Sequence, residues 1–225
     1  SPRTVRKYMP SRCVGGPGKR CQSQRWSTFI RNHAKGIVAC DFCVAVTATF
    51  RILYVFVVIE HASRRRLHVN VTAYPTAQWT MQQFREAIPA DHPYRILIHD
   101  RDSIFSKPVD QGVRNMGLRV LKTPVRTPVA NAICERVIGT IRRDCLDFMI
   151  PLNERHLDHI LREWMTHYNE GRPHKSLGPG IPQPRPGLPV SRQAPRHLIP
   201  RRQQVVSQPI LNGLHHDYGF EPKAA

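Results

Sequence analysis

Three acidic residues stand where acids are costly. Asp41 lies in the middle of the apolar run GIVACDFCVAVT (36–47), Asp100 ends the run RILIHD (95–100), and Glu135 falls in the first turns of a helical pattern that starts near Asn131. A carboxylate among apolar neighbours is unfavourable unless something positive compensates for it. Two Asp and one Glu, with no protein base among them, form a hard-oxygen donor set suited to Mg²⁺ or Mn²⁺, ions that keep several waters and take phosphate oxygens as further ligands. Two such ions about 3.5–4 Å apart activate an attacking hydroxyl and stabilise the leaving oxygen of an in-line phosphoryl displacement. The chemistry within reach of these residues is metal-assisted phosphoryl transfer.

Such a trio converges only if rigid elements deliver it. Three β-type runs, 36–47, 53–61 and 67–74, joined by short turns that include ASRRR (62–66), read as an antiparallel meander. TAQWTMQQFREAI (76–88) has helical spacing at Trp79, Phe84 and Ile88 behind a Thr cap. RILIHD is a fourth strand, VDQGVRNMG (109–117) a short helix ended by Gly117, and LRVLKTPV (118–125) a fifth strand. A long helix is expected from Asn131 to about Ile150, and another over 154–171, stopped by Gly171. The fold class is α/β, a mixed five-stranded sheet flanked by helices. Within the long helix Asn131, Glu135 and Arg142 share one face, and the stripe Ile133, Val137, Ile141, Cys145 and Phe148 is expected to pack on the sheet.

The flanks differ from this body. Residues 1–9, SPRTVRKYM, read as a short helix, and the Gly-, Ser- and Arg-rich stretch to residue 33 as extended chain. Beyond Gly171, PGIPQPRPGLPV (179–190) is too Pro-rich for regular structure, and QVVSQPILNGLHHDYGF (204–220) reads as a small hairpin. Three segments follow: a basic N-terminal segment 1–33, a core 34–180 and a basic Pro-rich tail 181–225.

The net charge of +18 is unevenly spread, with +9 in residues 1–40, +3 in 41–170 and +6 in 171–225. A near-neutral body with cationic ends suits a polyanion, because each Lys or Arg docked on a phosphate releases condensed counterions. No basic amphipathic helix, no run of about 18 apolar residues and no signal peptide is visible, so no membrane partner is expected and the cytosol is the default compartment. Cys40 and Cys43 have C-x-x-C spacing inside a strand, where side chains alternate between faces, so they read as reduced core residues like the other four cysteines. His156, His159, His167, His215 and His216 read as solvated or core histidines.

ACDFCVAV, IHDRDSIF, TPVRTPVANAICERVIGTIRRDCLDF and HYNEGRPHKSLG, in that order over about residues 34–180, resemble the catalytic core of the DDE transposases and integrases, the retroviral-integrase-like superfamily, in its bacterial insertion-sequence form. The resemblance implies an RNase H-like fold in which three acids bind two divalent ions, Mg²⁺ or Mn²⁺, cut DNA and join its 3′ end to a target. Carried over by motif, the catalytic and metal-holding residues are Asp41, Asp100 and Glu135, the last two 35 apart; Asp102 falls on a motif position that is not a ligand and reads as a turn former. The resemblance further implies a double-stranded DNA partner, a homo-oligomer on DNA, a nucleoid-associated cytoplasmic location in a bacterium, and DNA contacts from Asn131, Arg136, Arg142, Arg143, His174 and Lys175. Capping is an equal reading for Asn131, and a solvated helix surface for Arg142 and Arg143. SPRTVRKYM resembles the last helix of a helix-turn-helix without the helices that brace it, so sequence-specific recognition of DNA ends is not expected of this chain. An RNase H-type or junction nuclease, making hydrolysis products only, and a non-catalytic DNA-binding remnant of a mobile element are the rival readings.

Overall fold

The structure is a computed structural model, and it describes residues 26–123, 131–178, 180–184 and 202–223. It divides into two compact units, residues 1–32 and 33–225. Of the first, the described part belongs to helix α1 (Trp26–His33). Over Trp26–His33 the extended chain expected there is corrected to a helix, and the rest of that stretch lies outside the described residues. The helix expected over 1–9 lies outside the described residues.

The second unit is built on a five-stranded sheet. Strands β1 (Ile37–Val46), β2 (Ile52–Glu60) and β3 (Arg66–Thr72) form the expected antiparallel meander, and β4 (Ile96–His99) and β5 (Arg119–Lys122) add parallel to β1, in the order β3-β2-β1-β4-β5. β-Branched and aromatic residues fill β1 and β2, and both faces of the sheet are covered, which is why these strands read as near-continuous apolar runs. Helix α2 (Ala77–Ala87) starts at Thr76, whose hydroxyl accepts from the Trp79 amide at 3.2 Å, and α3 (Lys107–Asn115) leads to Gly117 at φ +87, a conformation open to glycine at no steric cost. These two helices close one face over Val38, Cys40, Phe56, Val58, Leu97 and Phe105.

Helices α4 (Ala132–Asp144) and α5 (Glu154–Glu170) belong to the other face. The long helix is shorter than expected. Cys145 leaves helical geometry at φ −141, ψ −67, and a single 3₁₀ turn, Leu146–Phe148, follows. The packed stripe is Cys134, Val137, Ile141 and Cys145; Ile133 is half-buried and Phe148, thrown off the stripe by the break, is 67% exposed. α5 contributes Leu157, Ile160, Leu161 and Trp164, all 3% exposed or less.

The expected C-terminal hairpin is present as β6 (Gln203–Ile210) and β7 (His215–Pro222), and it docks on this layer. The Leu211 amide donates to Glu163 Oε1 at 2.6 Å, His215 Nε2 donates to the Asp144 carbonyl at 2.5 Å, and His167 Nδ1 pairs with Asp217 Oδ1 at 2.5 Å. A Cβ at Gly171 would overlap the Asp217 carboxylate, so the glycine makes room for the hairpin.

Candidate active site

Strand parity and register decide where the first two acids meet. On β1, Val38, Cys40 and Phe42 face α2 and α3, so Ile37, Ala39 and Asp41 face α4. On β4, Leu97 faces α2 and α3, so Ile96, Ile98 and the following Asp100 take the α4 side. The parallel ladder pairs Ile37 with Ile96 and Ala39 with Ile98, and two residues further along each chain come Asp41 and Asp100. Neighbouring strands run about 4.8 Å apart, so the two carboxylates emerge side by side on one face.

Helix α4 brings the third. Asn131 Nδ2 donates to the Cys40 carbonyl at 3.2 Å, and Arg142 donates to the Val44 carbonyl at 3.2 Å, fixing the helix along β1 at both ends. Between these ties Glu135 is exposed, turned away from the buried stripe. Asp41 feels the other acids. Burial, then Asp100, with smaller pushes from Glu135 and Asp102, drive the Asp41 carboxyl up from 3.8 to about 7, against a lowering hydrogen bond from the Phe42 amide at 2.8 Å.

Among the described residues no three His, Cys, Asp or Glu side chains stand close enough to form a ready-made metal cage. The donor chemistry nonetheless fits a hard divalent ion: all three acids offer carboxylate oxygens only, they repel one another, and an ion that keeps waters and takes phosphate oxygens does not need a complete protein cage.

Asp102 behaves as a turn former. Its Oδ1 accepts from the Ile104 amide at 2.9 Å, while its own amide donates to Asp100 Oδ1 at 3.0 Å and so orients that carboxylate. Asn131 is 4% exposed and makes no side-chain cap; its amide is spent on β1, which makes it a positioning residue. His174 is 8% exposed, donates to the Tyr168 carbonyl at 3.3 Å, and burial pushes its imidazolium down to about 4, so it presents a neutral ring. Arg136, Arg142, Arg143 and Lys175 are exposed. Arg142 and Arg143 follow Glu135 by seven and eight residues, with Arg142 on the Glu135 side of α4. The buried cysteines Cys40, Cys43, Cys134 and Cys145 are free thiols, as their core reading requires.

A supporting network escaped the sequence reading. His99, 1% exposed, donates from Nδ1 to the Asp100 carbonyl at 2.6 Å and shares a 3.0 Å hydrogen bond between Nε2 and Asp110 Oδ1, while Lys122 Nζ holds Asp110 Oδ2 at 2.8 Å. This chain runs from β5 through α3 and fixes the backbone that carries Asp100. Asp110, next to Val109 and three residues from Val113 on a buried helix face, was the signal available.

Residues 116–182 match the family model of the integrase core domain. Over 171 residues the chain is 26% identical to the putative transposase InsD for insertion element IS2E of Escherichia coli strain K12, covering 72% of this chain and 77% of that protein. It is 26% identical over 171 residues to transposase InsD for insertion element IS2A/D/F/H/I/K of Escherichia coli, of which it spans 56%, a little over half its length. The catalytic domain of Mos1 mariner transposase superposes with a TM-score of 0.53 at 15% identity, over 63% of this chain and 75% of that one. The HTLV-2 integrase catalytic core domain in complex with magnesium, in its trimeric form, superposes with a TM-score of 0.51 at 14% identity, over 66% of this chain and 93% of that one. At these identities the structural likeness establishes the RNase H-like fold. Family model and relatives point the same way: the chain is similar to transposases of insertion elements and carries a stretch matching the integrase core domain.

Proposed function

We propose that the chain is the catalytic core of a bacterial insertion-sequence transposase, a polynucleotidyl transferase that cuts duplex DNA and joins its 3′ end to a target by phosphodiester transesterification. Asp41, Asp100 and Glu135 are its catalytic, metal-holding residues. The observation that supports this most directly is the shared register that delivers Asp41 and Asp100 from adjacent parallel strands onto the face covered by α4. Two Mg²⁺ or Mn²⁺ ions held there would supply activation of the attacking hydroxyl and stabilisation of the leaving oxygen. The chain's own groups set the conditions. Burial and then the neighbouring carboxylates hold the Asp41 carboxyl up to about 7, and positive charge at the site would favour its ionised form. The Asp102 amide holds one oxygen of Asp100 and orients the other. Arg142 and Arg143 stand on α4 near Glu135, exposed, to receive backbone phosphates.

The DNA partner, a homo-oligomer assembled on it and a nucleoid-associated cytoplasmic location belong to the same reading. Among the described residues no helix is long and apolar enough to cross a membrane. The test is incubation with Mn²⁺ and labelled linear DNA carrying insertion-element ends. Nicked and joined products are expected; cleavage with no joined strand would favour a nuclease, and products unchanged in Asp41→Asn would sink the assignment of the site.

A further inference from the structure

A second polar cluster lies beside α4, away from the carboxylates. Arg64, Arg136, Tyr168, Arg172, His174 and Lys175 line a cavity of about 210 Å³ whose α4 wall also includes Ile133, Val137 and Thr140. At about 100° per residue, the mean direction of these α4 positions is roughly 150° around the helix axis from Glu135. The cavity and the acids therefore open on different sides of the helix.

Three of the four cations around this cavity lack an acidic partner among the described residues. All 16 Asp and Glu residues of the chain fall among the described residues, yet of the four cations only Arg172 has one as a partner, Asp144 at 2.8 Å. Arg64, Arg136 and Lys175 have no Asp or Glu within 4 Å among the described residues, and Arg136 adds to burial in pushing the Arg64 guanidinium down. Arg64 also sits at φ +65, where a residue with a Cβ is strained, in the turn between β2 and β3. Two further guanidiniums meet the Tyr168 ring, Arg172 at 5.8 Å and the buried Arg66 stacked 3.3 Å from its centroid, so positive charge gathers behind this wall. Forked guanidinium donors with an ammonium beside them match a tetrahedral oxyanion better than a planar or apolar group.

We propose that this cavity is a phosphate-binding site distinct from the acidic site, with Arg64, Arg136, Arg172 and Lys175 as its ligating cations and a backbone phosphate of DNA, or the same group as free phosphate, as its occupant. The DNA source rests on the transposase reading; the phosphate chemistry does not.

The two sources are separated by two measurements on the full chain and on the double variant Arg136→Gln/Lys175→Gln, both positions being exposed. In anisotropy titrations of a labelled duplex across a salt series, each lost phosphate contact should bring the log–log slope about 0.9 closer to zero, so the double variant is expected to differ from wild type by about two. In thermal unfolding with inorganic phosphate, wild type should be stabilised and the variant much less. A flattened slope assigns the site to DNA; a phosphate response without a slope change assigns it to free phosphate. No difference in either measurement overturns the proposal, as does a flattening of about 0.9 by Arg155→Gln, an exposed cation outside the cavity. Wild type that fails to cut DNA while the slopes behave as stated would remove the catalytic reading and leave this site standing.

Discussion

Replacing Asp41 by Asn should stabilise the metal-free protein at pH 8 and do almost nothing at pH 4. The Asp41 carboxyl is pushed from its ordinary 3.8 up to about 7, first by burial and then by Asp100. A folded-state value above the unfolded one means that the protonated form is favoured by folding. The contribution is fully present below about pH 4 and is lost as the pH rises through about 7. Each pH unit across that window is worth 1.36 kcal/mol, so the full gap corresponds to about 4 kcal/mol, and solvent screening of the half-buried side chain brings the expected effect to about 2–4 kcal/mol. The amide carries no charge to desolvate, and its oxygen can still accept the Phe42 N–H. The assay is urea unfolding of both proteins with EDTA at pH 4, 6 and 8. Taking the difference between them cancels His61 and His174, whose imidazolium forms are both pushed down to about 4 and which titrate in both proteins. The advantage of the variant should grow between pH 4 and 7 and then level off. Added Mg²⁺ should erase it by stabilising wild type alone. An advantage equal at pH 4 and pH 8, or a variant less stable at pH 8, would refute the claim that like charges crowd this carboxyl.

Asp100→Asn and Glu135→Gln should each abolish Mn²⁺-dependent cleavage while leaving duplex affinity intact, whereas Asp102→Asn should keep most activity, since an amide oxygen can accept from the Ile104 N–H as the carboxylate does; gel assays of the three variants with one labelled duplex decide it. Gly171→Ala should cost about 1–3 kcal/mol in chemical denaturation, because its Cβ meets the Asp217 carboxylate, and an unaffected midpoint would mean that the hairpin does not dock as described. Burial holds the Cys40 and Cys134 thiols well above their ordinary pKa, so iodoacetamide at pH 8 should alkylate them slowly in the native protein and readily in urea, as followed by peptide mass spectrometry; rapid native labelling would contradict their place in the core.

Legibility in the sequence followed the range of the interaction. The meander, the helix starts and the three acids were readable because each depends on local composition: apolar runs with a misplaced charge, a Thr before a periodic stretch, Gly after one. The pairing of Ala39 with Ile98 was not readable, since strand register joins residues 59 apart and no neighbour of either announces it. The same holds for Asn131. A polar residue before a helix suggests a cap, yet its amide reaches the Cys40 carbonyl 91 residues away, a contact that exists only once α4 lies on β1. The histidines divide the same way: His167 and His215 read as bland singly, and only the docked hairpin stacks them at 4.9 Å beside Asp217. Gly171 holds both cases in one residue. Its position after a periodic helix reads as a stop signal, and the helix does stop there, but its φ of −116 is open to any residue and needs no glycine. What excludes a side chain is Asp217, 46 residues downstream, whose carboxylate fills the space a Cβ would take; a correct local inference therefore had a non-local cause.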